Sequence, residues 1–249
     1  MNRAMPLVEF RNAGYEISGR TILADLTFAV EAGETLVLLG RSGSGKTTAL
    51  KMVNGLLFPT RGEVLVDGKA TTAWEPIRLK RHIGYVIQDV GLFPHFTVAR
   101  NVALVPQLEG WPADKVRSRV KELLEQVGLP AAEFAERFPR QLSGGQRQRV
   151  GIARALAADP ELLLFDEPFG ALDPVTRFDA QQMFLALRRN LNKTAIFVTH
   201  DVREALQLAS RIALLRGGRL EALREPAGFL SEQSEEARAF LRSLGDGPA

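Results

Sequence analysis

Short runs of β-forming residues, separated by glycines, open the chain and predict strands at residues 7–10, 26–30 and 35–39. A fourth run alternates apolar and polar residues over 62–68 and ends in an Asp-Gly turn, which is a strong hairpin signal. Tyr15 falls between the first two runs, so we expect it in a loop. Its ring is either an ordinary half-buried aromatic or a surface on which a nucleotide base could stack.

Unbroken apolar runs later in the chain predict a second kind of strand, because strands that are covered on both faces lose the alternation of a half-exposed sheet. These runs lie at residues 36–39, 161–165 and 194–198. A further strand is expected over 81–89, where the apolar run ends at Gln88. The pattern therefore indicates a parallel sheet with helices packed on both sides.

Helical spacing of apolar residues replaces the strand pattern from residue 97 to about 158. We expect Pro112 in the first turn of one helix and Gly128 just past its end. An all-helical block is thus inserted between strands.

After the strand at 194–198, Asp201 and Glu204 resemble a capping box at a helix start.

The sequence GRSGSGKTT at residues 40–48 lies between the strand at 35–39 and a helix-like segment at 49–54. Its glycines allow the backbone to curl so that N–H groups point at an anion, and the helix N-terminus adds further donors. Lys46 can reach the terminal phosphates, and the Thr47 hydroxyl can hold a magnesium ion. A plain glycine-rich turn is the alternative, but the complete pattern in this context predicts binding of a nucleoside triphosphate.

Polar residues close the predicted parallel strands, and ligands of such sheets bind beyond the carboxyl ends of the strands. We therefore expect Gly40, Gln88, Asp166-Glu167 and His200 in one crevice. There Asp166 would hold magnesium, Glu167 would act as general base, and His200 would donate to a γ-phosphate oxygen. Taken alone, the two acids could be helix caps, and Gln88 and His200 could be incidental surface residues.

A second candidate anion site is the sequence LSGGQ at residues 142–146, which precedes a helix. It offers the Ser143 hydroxyl and glycine N–H groups at a helix start. Because the first site already holds the phosphates of its own nucleotide, this one needs another phosphate. A two-fold dimer would supply it, since each copy then meets the nucleotide of its partner.

Composition limits the other possibilities. The chain has 249 residues, of which 45% are hydrophobic, enough for a sizeable core. The net charge of +3 is small, so it gives no argument for nucleic acid. The absence of cysteine excludes disulfides and thiolate chemistry. The N-terminus lacks the apolar core of a signal peptide, and no stretch approaches the roughly 20 apolar residues that span a bilayer. We expect any membrane role to depend on a partner.

Together these motifs resemble the ATP-binding-cassette family of ATPase subunits, over roughly residues 7–225. The resemblance implies an α/β fold: a P-loop NTPase with a RecA-like core, an N-terminal antiparallel β-subdomain and an inserted all-helical subdomain. We expect one nucleotide-binding domain over 1–249. Its core would span 7–90 and 159–225, the helical signature subdomain 91–158, and a short tail 226–249.

The resemblance also implies roles for individual residues. Catalysis would involve Glu167, His200, Gln88 and Lys46, and Mg²⁺ would be held by Thr47, Gln88 and Asp166. Tyr15 would stack on adenine, Ser143 and Gly145 would clamp the ATP of the opposite subunit, and Asp173 would couple the two sites. The full set expected to contact ATP is Tyr15, Gly40, Arg41, Ser42, Gly43, Ser44, Gly45, Lys46, Thr47, Thr48, Gln88, Ser143, Gly144, Gly145, Gln146, Asp173 and His200.

Within the family, the segments 84–98, 104–107 and 169–177 look like the ATPases of glycine betaine, carnitine and choline importers. Many of these carry C-terminal CBS domains and a glutamate where this chain has Arg100; we expect a chain without CBS domains. The implied partners are a second copy, a separate integral-membrane permease, and indirectly a solute-binding protein, with no nucleic acid. The expected location is the cytoplasmic face of the membrane.

Three other functions are open to a chain of this kind. It could serve an importer of another small solute, such as an amino acid. A soluble mechano-ATPase acting on DNA or ribosomes would need long coiled coils or a second cassette, which the sequence does not contain. A small-molecule kinase would leave residues 142–146 without a role. Transport is the interpretation that uses every motif.

Overall fold

A computed structural model describes residues 5–88, 90–191 and 193–245 of the chain, which divides into two compact units. The first unit comprises Met1–Lys80 and Thr194–Ala249, and the second comprises Arg81–Lys193. The strands are β1 (Val8–Ile17), β2 (Arg20–Val30), β3 (Thr35–Leu39), β4 (Arg61–Val66), β5 (Lys69–Ala70), β6 (Ile83–Val86), β7 (Leu162–Asp166), β8 (Thr194–Thr199), β9 (Arg211–Arg216) and β10 (Arg219–Arg224). The α-helices are α1 (Lys46–Val53), α2 (Pro76–His82), α3 (Val98–Leu108), α4 (Ala113–Gln126), α5 (Ala131–Phe134), α6 (Gly144–Leu156), α7 (Pro174–Leu191), α8 (Val202–Leu208), α9 (Pro226–Phe229) and α10 (Glu235–Gly245). The subdomain limits expected from the sequence stay predictions.

An antiparallel sheet with the order β2-β1-β4-β5 forms the N-terminal part of the first unit. The hairpin predicted over 62–68 is confirmed: Val66 pairs with Lys69 across the turn. Both turn residues, Asp67 and Gly68, have positive φ angles (51° and 68°), as a tight two-residue hairpin turn requires. The antiparallel N-terminal sheet expected from the family resemblance is therefore present.

Strand β1 is longer than the sequence pattern predicts, because it continues through Gly14 and Tyr15 to Ile17. The expectation that Tyr15 lies in a loop is wrong: Tyr15 pairs with Leu23 on β2. The register shifts between Phe10 and Glu16, so the strand passes the glycine by local irregularities instead of ending there.

The parallel strands of the first unit are β3, β8 and β9, with β3 in the middle. Every residue of β3 and β8 is buried, which confirms the prediction from the unbroken apolar runs. Strand β10 pairs with β9 in the antiparallel sense. We did not predict β9 and β10, because each begins and ends with arginine and carries only a short apolar run.

In the second unit β6 and β7 pair in parallel, and helices α3 to α7 supply the rest. The strand expected over 81–89 is wrong at its start, because residues 81 and 82 form the end of α2. Gln88 lies in the turn after β6, and Asp89 lies outside the described residues. A Cβ atom on Gly84 would lie 2.4 Å from the Ala155 carbonyl oxygen, so glycine allows α6 to pack directly on the β6 backbone.

Two helix starts differ from the sequence-based expectation. Pro112 is the N-cap of α4 instead of a first-turn residue. Asp201 caps α8 by accepting from the Arg203 N–H at 2.8 Å, but the reciprocal bond expected from Glu204 is made by Thr199. The Thr199 hydroxyl accepts a hydrogen bond from the Asp201 N–H at 3.0 Å and donates one to the buried Glu204 carboxylate at 2.6 Å. Within the described ranges, no helix is both long and apolar enough to cross a membrane.

Candidate functional site

The loop at residues 40–48 connects β3 to α1 and is shaped by two glycines. Gly45 has a φ of 98° and stands at the N-cap of α1, where no side chain caps the helix. A Cβ atom on Gly45 would lie 2.4 Å from Leu23 Cδ2, and one on Gly40 would lie 2.4 Å from the Leu215 carbonyl oxygen. At Gly40 the close atom belongs to the backbone, so a side chain cannot be accommodated there. At Gly45 the close atom ends a flexible side chain, and it is the φ of 98° that requires glycine.

Lys46 is buried at the start of α1, with 4% of its surface exposed. Its Nζ donates to the carbonyl oxygens of Gly40 at 2.7 Å and of Arg41 at 2.9 Å. A buried ammonium group is costly unless it is hydrogen-bonded, so these bonds hold the loop curled around the lysine. The result is a positive charge fixed beside the uncapped start of a helix, which is an environment suited to an anion.

His200 and Tyr15 belong to the same unit as this loop. In the parallel pair β3 and β8, Leu39 is paired with Thr199, so Gly40 and His200 follow at the carboxyl ends of neighbouring strands. The His200 side chain is exposed. Tyr15 pairs with Leu23, the residue whose side chain would meet a Cβ on Gly45. The first unit thus brings the loop and His200 to one edge of its sheet.

Gln88, Asp166 and Glu167 belong to the second unit, where Val86 on β6 is paired with Phe165 on β7. Asp166 ends β7 and is 9% exposed. The Tyr85 hydroxyl donates to Asp166 Oδ2 at 3.4 Å. Burial of the phenol, together with the Asp166 carboxylate, raises the pKa of Tyr85, so the hydroxyl keeps its proton and acts as a donor.

Glu167 has a φ of 45°, an uncommon angle for a residue other than glycine. Its carbonyl accepts the Gly170 N–H at 3.1 Å, which closes a tight turn after the strand. A strained backbone of this kind persists when neighbouring contacts over-determine it, and it is frequent at functional sites. The turn fixes the point at which the Glu167 side chain leaves the backbone.

The helix start at Ser143 is a complete capping box. Ser143 Oγ accepts the Gln146 N–H at 3.2 Å, and Gln146 Oε1 accepts the Ser143 N–H at 2.9 Å. Gly144 and Gly145 begin α6, and the first N–H groups of a helix have no partner within it. We call residues 142–146 the signature sequence. A Cβ on Gly145 would lie 2.3 Å from Thr176 Cγ2, so α7 packs tightly against this sequence.

Asp173 caps α7 by accepting the Thr176 N–H at 3.1 Å. Hydrogen bonds from the Thr176 side chain and N–H lower the pKa of the Asp173 carboxyl group, which favours its charged form. Thr176 therefore contacts both Asp173 and the position of Gly145. Within the second unit, the structure brings the residues of the signature sequence and Asp173 together.

The segment after Gln88 is held by the same helix that begins at the signature sequence. Arg154 on α6 donates to the carbonyl oxygens of Val90 at 2.6 Å and of Gly91 at 2.7 Å. Val90 has a φ of 55°, which is unfavourable for a β-branched residue. A Cβ on Gly151 would lie 2.6 Å from Val90 Cγ1, so glycine lets the turn approach α6.

The predicted site residues therefore divide between the units. Tyr15, the loop at 40–48 and His200 belong to the first, and the others belong to the second. The expectation that all strand ends share one crevice combines residues of both units and stays a prediction.

The family model described as ABC transporter matches residues 23–170, more than half of the chain. The chain belongs to the ABC transporter family. The match includes the loop at residues 40–48, called the phosphate loop from here on, the signature sequence and Asp166. The prediction of the family from sequence motifs is thus confirmed, and so is the P-loop NTPase fold.

Similar ABC transporter proteins include the glycine betaine/carnitine/choline transport ATP-binding protein OpuCA of Bacillus subtilis (strain 168). It is 46% identical, and the alignment covers 92% of this chain and 62% of the relative. The glycine betaine uptake system ATP-binding protein YehX of Escherichia coli (strain K12) is 44% identical, with 96% of this chain and 76% of the relative covered. The chain thus spans less than two thirds of the length of OpuCA.

Among solved structures, the chain is similar to the ATP-binding cassette MJ0796 in a dimeric post-hydrolysis state bound to ADP and Pi. The TM-score is 0.77 at 34% sequence identity, and the match covers 88% of this chain and 98% of that one. The ABC transporter fold of this chain therefore extends over most of its length.

Two polar residues of this ABC transporter chain were missed by the sequence analysis, namely Tyr85 and Arg154. The sequence offered a weak indication of Tyr85, because this residue lies three positions before Gln88, on the strand that was predicted to end at the nucleotide site. Arg154 had none: its partners Val90 and Gly91 are more than sixty residues away in sequence, and one of several arginines on a helix cannot be singled out without the fold.

Proposed function

We propose that this chain binds ATP with Mg²⁺ and hydrolyses it as the nucleotide-binding subunit of an ABC import system. The observation that carries the proposal is the phosphate loop. A side chain at Gly40 would clash with the backbone, and Gly45 has a φ of 98° that other residues rarely adopt. The buried Lys46 ammonium is bonded to two loop carbonyls beside an uncapped helix start. A cradle of N–H groups with one fixed positive charge suits a polyphosphate.

The remaining roles follow from the chemistry of each side chain. Lys46 binds the terminal phosphates, and Thr47, Gln88 and Asp166 supply hydroxyl, amide and carboxylate oxygens, the ligand type that Mg²⁺ prefers. When bound, the metal neutralises charge on the phosphate oxygens. Glu167 deprotonates the attacking water, and His200 donates a hydrogen bond to the γ-phosphate. Tyr85 holds the Asp166 carboxylate by its hydrogen bond.

The signature sequence acts on the nucleotide of a second copy. Its capping box fixes the Ser143 backbone and leaves the first helical N–H groups, on Gly144 and Gly145, without intrahelical partners. We propose a head-to-tail dimer in which these groups clamp the partner's ATP and Asp173 couples the two sites. The dimeric state of the similar MJ0796 cassette supports this arrangement.

The transported solute is proposed to be a quaternary-ammonium osmoprotectant such as glycine betaine, carnitine or choline. The names of OpuCA and YehX support this class. The chain would act at the cytoplasmic face of the membrane through a separate permease that receives solute from a binding protein. ATPase activity of the assembled transporter, measured with each candidate solute and its binding protein, would identify the substrate by stimulation.

The catalytic part of the proposal is tested with Glu167→Gln. This variant keeps a side chain of the same size but cannot take a proton from water. We expect it to bind ATP, to lose at least about a hundredfold in turnover, as loss of a general base does, and to accumulate as an ATP-bound dimer. Size-exclusion chromatography with Mg²⁺ and ATP measures the dimer, and phosphate release measures turnover.

Glu161→Gln is a matched control, because Glu161 is an exposed acid just before the same strand. It should remain as active as the wild-type protein. If Glu167→Gln stays monomeric with ATP and hydrolyses it at the wild-type rate, then Glu167 is not the base.

A further inference from the structure

The C-terminal helix α10 is bonded to the phosphate loop. Glu236, in the first turn of α10, accepts from Arg41 Nε at 2.6 Å, and Arg41 is the second residue of the loop. The Glu236 side chain is only 7% exposed, whereas that of Arg41 is 69% exposed. A buried carboxylate is costly unless a charged partner compensates it, so this bond connects the loop to α10.

Lys46 bonds to the backbone of the same loop residue, Arg41. The Arg41 carbonyl oxygen accepts from Lys46 Nζ at 2.9 Å. The guanidinium of Arg41 is thus fixed by Glu236 while its carbonyl is fixed by Lys46. A shift of the Arg41 backbone would move an acceptor of the Lys46 ammonium, because the two bonds share one residue.

A cavity of about 510 Å³ separates the rest of α10 from the loop, and it is lined by residues 41–44, 215–217 and part of α10. A second ion pair lies at this cavity, between Glu235 and Arg216 at 3.0 Å, but Arg216 belongs to β9 and not to the loop. Neighbouring acids on one helix therefore have different partners. The Glu236 pair reaches Arg41, a residue that Lys46 also contacts.

We propose that Glu236 is a positioning residue for ATP binding, acting through Arg41 on the phosphate loop. The inference rests on the proposed function, since it assumes that the loop binds ATP. It makes α10 a support of the loop: a change in α10 alters the affinity for ATP without contact between α10 and the nucleotide.

The test compares the Kd of ATP, measured by titration calorimetry with Mg²⁺, for the full-length wild-type protein and three variants. Glu236→Ala removes the acceptor, and we expect its Kd to rise about tenfold, within the range for loss of a charge-assisted hydrogen bond. Glu236→Gln keeps an acceptor and should stay within about threefold of the wild type. Glu235→Ala is the matched control and should bind as the wild type does.

The pattern of results separates positioning from two simpler effects. If Glu236 acted only by repelling phosphates, Ala and Gln would both tighten ATP binding. If it only stabilised the fold, Glu236→Ala would lower the melting temperature of the nucleotide-free protein and leave the Kd unchanged. Either result would overturn the inference. Failure of the wild-type protein to bind ATP would instead refute the proposed function.

Discussion

The close contact between the signature sequence and α7 predicts that Gly145→Ala lowers the free energy of unfolding. The new Cβ would lie 2.3 Å from Thr176 Cγ2, whereas ordinary contacts are 3.4–4 Å. The Thr176 hydroxyl bonds to Asp173, so rotating this side chain away from the new Cβ would break that bond. Overpacking of this kind costs about 1–3 kcal/mol. We expect a loss of about 2 kcal/mol, which is about 4–8 °C in melting temperature for a chain of this size.

A compensating substitution tests the stated cause. Thr176→Ser removes the methyl group that clashes and keeps the hydroxyl that bonds to Asp173. Alone it should cost about 0.5–1 kcal/mol for the lost methyl packing. In the Thr176→Ser background, Gly145→Ala should add almost nothing, so the two changes should show a coupling energy of about 2 kcal/mol. The assay is a double-mutant cycle by thermal unfolding without nucleotide.

Gly144→Ala provides the control, since its Cβ would meet Leu172 Cδ2 at an ordinary 3.7 Å. It should change stability by less than about 0.5 kcal/mol, the usual range away from tight contacts. The explanation fails if the Gly145→Ala and Thr176→Ser effects are additive within about 0.5 kcal/mol, because residues that do not interact behave in that way.

Two further predictions concern residues that the fold brought to light. Arg154→Met should destabilise the protein by about 1.5 kcal/mol, because the part-buried carbonyl of Val90 and the exposed carbonyl of Gly91 lose a charged donor. Hydrogen exchange should quicken over 87–96, and unchanged exchange would contradict the assignment. Tyr85→Phe should raise the Mg²⁺ concentration for half-maximal ATPase about threefold, in line with loss of one weak hydrogen bond to Asp166. An unaltered Mg²⁺ titration would show that the Tyr85 bond does not position the carboxylate.

The features that could be predicted from the sequence are those that depend on a pattern of neighbouring residues. The phosphate loop, the signature helix start and the buried parallel strands each depend on a local pattern of glycines, caps or apolar residues. The Asp67-Gly68 turn could be predicted because its backbone angles demand such residues. These patterns were sufficient to identify the P-loop NTPase fold and the family.

Other features depend on contacts between distant residues. Tyr15 was placed in a loop because Gly14 looked like a strand end, yet pairing with β2 and β4 carries the strand past it. The capping role expected of Glu204 was taken by Thr199, a choice that only the three-dimensional arrangement decides. The bond between Arg41 and Glu236 joins residues 195 positions apart, so no local sequence pattern could predict it.

The most direct test of the account is complementation between two inactive variants. Ser143→Arg blocks the signature sequence, and Lys46→Ala removes the phosphate-binding lysine. If each ATP lies between the phosphate loop of one copy and the signature sequence of the other, a mixed dimer has one intact site. An equal mixture should then recover up to about a quarter of the wild-type ATPase activity, from half the dimers with one of two sites each. If mixed dimers form and the mixture is no more active than either variant alone, the shared site is refuted.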